Sequence, residues 1–306
     1  MTKRKSFLKS LKNEKYLWLM ILPAIIFVFV WNYLPMVGIT LAFKRFNYVK
    51  GIFSDWVGFD NFKFFFTSGQ AWLLIKNTVI YNLLFIFIGH GMEIIIALVI
   101  SEISGKYFKK ICQSFIILPY FISWVTAAAF MYNMFNYDTG ALNSILAQLN
   151  IEKVNIYSTP WLWYIIMPVM YVWKGIGYGS VLYLSSIMGL DQECFEAAQI
   201  DGANRFQRIW HITIPGIMPT VVIMFLMSLG KILRGNFDMF YQLVGANSLL
   251  YEVTDIIDVY VYRSLVENPD IGINSAVTLF QSVICLVMIL IANKLVKSYE
   301  RDYSLF

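Results

Sequence analysis

The sequence predicts an all-α, polytopic membrane protein with six transmembrane helices, and three observations carry that reading. The 306-residue chain is 58% hydrophobic, 17% aromatic and only 14% charged, whereas a soluble domain carries about a quarter charged residues. Long uncharged apolar runs recur along its length, each matching the requirements of a helix in a bilayer. Basic residues also collect in alternate connecting segments, as the positive-inside rule expects of a multi-pass protein.

Taken in order, residues 1–16 form a basic N-terminus with Lys3, Arg4, Lys5, Lys9, Lys12 and Lys15. The apolar run behind it, 17–43, is far longer than a signal-peptide core of about 7–15 residues, and no small-residue cleavage site follows. It reads as a retained first span. The remaining spans are placed at 73–101, 111–136, 160–188, 216–240 and 272–293. At about 1.5 Å per residue each can cross a hydrocarbon core of about 30 Å. The transmembrane domain is therefore 17–293, with a short tail at 294–306.

The segments 1–16, 102–110, 189–215 and 294–306 hold fourteen Lys and Arg residues; 44–72, 137–159 and 241–271 hold six. That asymmetry predicts that both termini and the 189–215 loop lie in the cytoplasm. On the other side, Trp56 to Phe66 alternates apolar and polar residues before turning wholly aromatic, as a segment lying in the interface would.

The chain shows little sign of enzyme chemistry. It has no phosphate-cradling loop: Gly105-Lys106 is followed by Tyr107 and lacks the upstream glycine. It also lacks a His-Glu-x-x-His helix and a Gly-x-Ser-x-Gly elbow. Cys112, Cys194 and Cys285 are widely spaced and odd in number, so neither a disulfide framework nor a metal site is expected. The net charge of +5 is too small and scattered to suggest nucleic acid.

His90 lies in the second span, three residues before Glu93. The two read either as an internally bonded pair or as a proton relay, since ionisable groups in a membrane are costly and often functional. Lys76 and Lys174 are expected near span ends, where a long amine can reach the headgroups. Lys231 also falls within a predicted span, and Arg234 and Asp238 are expected to pair on one helix face.

The most informative stretch is Glu196 to Pro219. Phe195 and Ala198 share a helical face, Ala197 and Ala198 are small enough for close approach, and Gly202 allows a turn that other residues resist. Phe206, Ile209 and Trp210 have the spacing of a second short helix folded onto the bundle, and Pro215 and Pro219 mark where the fifth span begins.

Glu196-Ala197-Ala198, Asp201-Gly202-Ala203 and Ile212-Thr213-Ile214-Pro215 together resemble the "EAA" signature of permease subunits in ATP-driven importers of the ABC class, with Ile214 where many relatives have leucine. Leu118 to Trp124, Trp173 to Gly179, Asp255 to Arg263, Tyr33 to Met36 and Tyr303 to Phe306 are similar to segments of its LplB-like carbohydrate branch, related to maltose and multiple-sugar permeases. The resemblance covers nearly the whole chain.

It implies the type I importer permease fold, in which one chain makes half of a translocation pathway for an oligo- or polysaccharide. It also implies a second related permease, a cytoplasmic ATPase dimer that binds the ATP, and an extracellular solute-binding lipoprotein; this chain would itself hold no cofactor. By position, Glu196, Ala197, Ala198, Asp201, Gly202 and Ala203 would form the contact with the ATPase. For the sugar path, aromatic faces and amide or hydroxyl groups at membrane depth are wanted. Tyr120, Trp124, Tyr171, Trp173, Tyr178, Tyr183, Asn236 and Tyr241 have the right types, although packing and interfacial belts use the same ones. The alternatives are an importer permease for a non-sugar solute, an exporter permease, and a stand-alone proton-coupled transporter using His90 and Glu93.

Overall fold

The computed structural model describes residues 15–267 and 269–306. The basic residues Lys3 to Lys12 lie outside the described residues. What is described is helical, with only two isolated bridges, Lys44 with Trp56 and Asn47 with Gly51, in the loop after the first helix.

Five long helices are apolar enough to cross a membrane. They are α1 (Lys15–Phe43), α3 (Ala71–Glu102), α7 (Pro160–Met188), α9 (Arg205–Leu229) and α12 (Ile271–Tyr299). A sixth crossing is made by two helices, α4 (Lys106–Phe121) and α5 (Trp124–Phe135), that meet at 91°. Shorter helices connect them: α2 (Asp60–Thr67), α6 (Ala141–Gln148), α8 (Gln192–Ile200), α10 (Phe237–Val244) and α11 (Ile257–Glu267).

The third span is thus not the single helix expected over 111–136. Pro119 has no N–H to give to the turn below it, and the backbone at Ile122 is extended. Ser123 then starts a new helix, its hydroxyl accepting from the Thr126 N–H at 3.1 Å.

The fifth span also departs from expectation. It begins at Arg205, well before 216, and ends at Leu229. Phe206, Ile209 and Trp210 belong to this helix, and Phe206 and Trp210 are exposed, not folded onto the bundle. Pro215 and Pro219 sit inside it; a wide turn at Ile209–Thr213 takes up the irregularity just ahead of Pro215. Because α9 stops at Leu229, Lys231 and Arg234 fall in the following turn and Asp238 in α10. Arg234 and Asp238 therefore do not share a helix, and the Arg234 guanidinium bonds the Ser282 hydroxyl at 3.2 Å.

α7 is the central helix, with Trp163, Met167, Gly177, Tyr183 and Ile187 buried along its length. It packs against α3, which a glycine brings close: the ring of Tyr171 comes within 3.0 Å of where a Cβ at Gly89 would sit.

Buried amides fasten the irregular 230–257 segment into the bundle. Asn77 of α3 donates to the carbonyls of Glu252 and Asp255, both at 3.1 Å, and Gln281 of α12 donates to Leu233 O at 2.8 Å. The Asp258 carboxylate accepts from Gly235 N at 2.7 Å. These bonds answer backbone groups that would otherwise be stranded at depth. By contrast, the first half of α1 (Lys15–Val28) buries no residue within the chain. Only its last turns approach the bundle, where Asn61 donates to Ala42 O and Lys44 O at 2.9 and 3.0 Å.

Candidate functional site

Two sites stand out, one at the tip of a loop and one at membrane depth. The first is the α8–α9 corner. Asp191 caps α8, its carboxylate accepting from Glu193 N at 3.0 Å. The helix ends in a Schellman motif: Ala203 N donates to Ala198 O at 2.9 Å and Gly202 N to Gln199 O at 3.1 Å. Gly202 holds the left-handed φ of +83° that this motif needs. Two residues later Asn204 and Gln207 form a capping box, each side chain accepting from the other's backbone N–H at 2.9 and 2.8 Å.

A corner capped on both arms holds its shape without burying a core. It therefore displays Glu196, Ala197, Asp201 and Gly202 on the outside, with Ala198 and Ala203 half-buried beneath. A cleft of about 320 Å³ opens between the two arms, lined by Ala198, Gly202, Ala203, Arg208 and His211 among others. Ile200, Phe206 and Trp210 are 86%, 84% and 69% exposed around it. Beside the corner, Arg205 approaches Glu102 at the end of α3 at 3.9 Å, and Arg208 of α9 bonds Gln199 of α8 at 3.4 Å, holding the two arms together.

The second site is the break between α4 and α5. The right-angle bend leaves the carbonyls of Tyr120 and Ile122 without helical partners, and the Lys174 ammonium of α7 donates to both, at 2.6 and 2.5 Å. The same ammonium lies 5.4 Å from the Tyr120 ring centre and 5.5 Å from that of Trp124. Tyr178, one turn along α7, stacks on Tyr120 with centroids 4.5 Å apart and planes 10° apart.

The segment Trp173 to Gly179 serves this arrangement residue by residue. A Cβ at Gly177 would collide with the backbone of Ile116 and Ile117, so glycine lets the broken span lie directly on α7. A Cβ at Gly179 would collide with the Glu93 carboxyl. Lys174 is midway along α7, so the expectation that it lies near a span end is corrected: it reaches inward to a break. Sequence reading missed that role, although Pro119 inside an apolar run and a cap-forming Ser123 signal a break.

Behind the break lies a polar knot. His90 Nδ1 meets Glu93 Oε2 at 2.9 Å and the Tyr183 hydroxyl at 3.1 Å, while Nε2 meets Ser228 Oγ at 2.9 Å. The imidazole thereby joins α3, α7 and α9, and both ring nitrogens are engaged.

The eight aromatic and amide candidates do not converge on one site. Tyr120, Trp124 and Tyr178 gather at the break, with Trp173 next to it on α7. Tyr171 stacks on Phe85 at 4.2 Å, and Tyr183 is 0% exposed in the knot. Asn236 caps α10, accepting from Met239 N at 3.2 Å. Tyr241 stacks on Phe237 and meets Tyr262 edge-on, both at about 5 Å, beyond the end of α9.

Comparison with known proteins bears on the family and the fold. The family model described as "Binding-protein-dependent transport system inner membrane component" matches residues 93–301. Protein LplB of Bacillus subtilis (strain 168) is 34% identical over 97% of this chain and 93% of its own length. The polygalacturonan/rhamnogalacturonan transport system permease protein YteP of the same organism is 33% identical, covering 98% and 93%. Among solved structures, a bacterial alginate ABC transporter in complex with an alginate pentasaccharide-bound periplasmic protein contains a similar chain. It matches with a TM-score of 0.87 at 32% identity, over 96% of this chain and 98% of that one.

Proposed function

This chain belongs to the family of binding-protein-dependent transport system inner membrane components and has the type I ABC importer permease fold. From that premise we propose that it is a permease subunit of an ATP-driven carbohydrate importer, forming half of the pathway. Family membership sets aside the stand-alone proton-coupled alternative and the exporter, and with them catalysis by this chain itself. The relatives' names include polygalacturonan, rhamnogalacturonan and alginate systems, which supports a polysaccharide or its fragments as cargo over a non-sugar solute.

The observation that carries the mechanism is the doubly capped α8–α9 corner. It is rigid, exposed and ringed by apolar residues, which is what a docking element needs when a soluble partner must push on it. Glu196, Ala197, Ala198, Asp201, Gly202 and Ala203 form the contact with a cytoplasmic ATPase dimer, and Ile200, Phe206 and Trp210 widen it. A related second permease completes the pathway against the bare half of α1, and a solute-binding lipoprotein delivers cargo on the opposite face. ATP binding biases one of two bundle arrangements and the loaded receptor the other, so the coupling is a shift between states. The corner also acts on the spans directly, because α9 runs from it into the membrane without a break.

Replacing Gly202 tests this. Valine cannot adopt φ +83° at ordinary cost, yet nothing lies within 4 Å of its Cβ position, so the rest of the bundle is untouched. Gly202→Val should insert in the membrane normally but lose ATPase co-purification and ATP-dependent uptake, whereas Gly202→Asn, which tolerates this conformation, should keep both. Wild-type uptake by the valine variant would sink the assignment. A glycan-binding screen on the receptor separates a sugar cargo from another solute.

A further inference from the structure

Lys174 puts a positive charge at the middle of α7, where burying such a group costs about 2.5–3.5 kcal/mol on insertion scales. Two carbonyls solvate it, but no carboxylate among the described residues neutralises it. The ion pairs among the described residues engage Asp55, Asp60, Glu93, Glu102 and Asp255, and none of these reaches Lys174. The break itself does not require a charge, since a neutral amide with two N–H groups could serve two carbonyls. The ammonium also retains a third donor.

What surrounds it is open and of one chemical kind. Tyr120 and Tyr178 are 42% and 54% exposed and present a stacked aromatic edge, and Ser123 next to them is exposed. A face with a charge and polar tips does not belong against lipid; it suits a watery path. An aromatic platform beside an unneutralised cation fits a sugar ring that carries its own anion.

We infer that Lys174, with Tyr120 and Tyr178, forms a passage point selective for saccharides bearing carboxylates, that is, chains containing uronic acid units. The inference rests on the importer reading above and deepens it. A pyranose face lies on the tyrosine pair, and its carboxylate accepts the third ammonium proton as the unit crosses the break. Lys174 is thus a specificity-determining residue, and its two carbonyl bonds hold the ammonium in place.

The test uses cells carrying the complete importer and two labelled probes of equal length: trigalacturonate and the neutral trisaccharide obtained by reducing its carboxyls. The readout is the ratio of the two uptakes in one preparation, so altered abundance cancels. Lys174→Gln keeps two donors and removes the charge. It should lower trigalacturonate uptake roughly tenfold or more, the scale of one charged hydrogen bond, and leave the neutral probe unchanged. Lys174→Arg should keep the wild-type ratio. Ser123→Asp, which preserves the helix cap while placing a carboxylate beside the ammonium, should depress the acidic probe alone.

An equal loss of both probes in the glutamine variant would make Lys174 a structural wedge and overturn the inference, as would no loss. Wild-type uptake of the neutral probe alone overturns it too, while leaving the carbohydrate importer standing. Uptake of neither probe overturns it as well, and the receptor's glycan screen then decides the importer reading separately.

Discussion

At the scale of single residues, this membrane protein uses side chains to answer backbone groups that the apolar spans leave open. Asn77, Gln281 and Lys174 each donate to two acceptors. Arg263 does comparable work outside the long helices. Its guanidinium meets the Asp255 carboxylate at 2.5 Å and stacks 4.2 Å over the Tyr251 ring, with the two charged side chains only 20% and 7% exposed. Burial pushes the Asp255 carboxyl above its ordinary value, and the bond to Arg263 pulls it part of the way back. Arg263→Ala should strand that carboxylate at a cost on the order of 3 kcal/mol, read as a lower thermal unfolding temperature in detergent. Removing Arg263 raises the folded-state pKa further above the unfolded one. The deficit is then full at neutral pH and shrinks as acid protonates the group. A loss that is independent of pH would assign the effect to packing on Tyr251. The pairing was not legible in the sequence, which shows Asp255 and Arg263 only as members of a familiar segment. Gly177 and Gly179 likewise showed only as members of a familiar segment, and their reason is purely tertiary: a Cβ at one would meet the Ile116 backbone and at the other the Glu93 carboxyl.

At the scale of elements, hydrophobic length located the spans well where a helix runs straight. The second, fourth and sixth were expected at 73–101, 160–188 and 272–293 and are found at Ala71–Glu102, Pro160–Met188 and Ile271–Tyr299. Hydropathy fails where apolar residues continue through a bend. Leu118 to Trp124 is as greasy as its flanks, so the right angle at Ile122 is invisible to it. It fails equally where a helix extends past the bilayer, as α9 does by beginning at the polar Arg205. Local capping chemistry, which reads short range, is the signal that was missed there: Asn204 and Gln207 have capping-box spacing in the sequence. Asn204→Ala should cost about 1 kcal/mol of that start and raise hydrogen exchange over residues 205–213 while leaving α12 unchanged. Exchange that rises across the whole bundle instead would mean the corner is not an independent unit. Coupling to the ATPase should weaken in parallel, because the corner pushes on α9 only if its first turn is formed.

At the scale of the whole molecule, two features follow from charge and exposure taken together. The bare half of α1 exposes apolar side chains on all sides within this chain, so it must lie against lipid or another subunit. The α8–α9 corner, the start of α4 with Lys106, Lys109 and Lys110, and the last turn of α12 with Lys297 fall on the side that carries the basic excess. The positive-inside rule predicts that side to be cytoplasmic, and the proposed docking of a soluble ATPase requires the same orientation. Cys194 provides the test, because it is exposed on α8 while Cys112 is half-buried and Cys285 is buried. In a Cys112→Ser, Cys285→Ala background, a membrane-impermeant maleimide should label Cys194 in inside-out vesicles and spare it in intact protoplasts. Adding the ATPase dimer should then protect it, since Cys194 lies one helical turn from Ala197 and Ala198 on the same short helix. Labelling from outside intact protoplasts would invert the topology and remove the docking corner from the ATPase's reach. Labelling from inside that the ATPase does not diminish would keep the topology and confine the contact to the Asp201–Ala203 end of the helix.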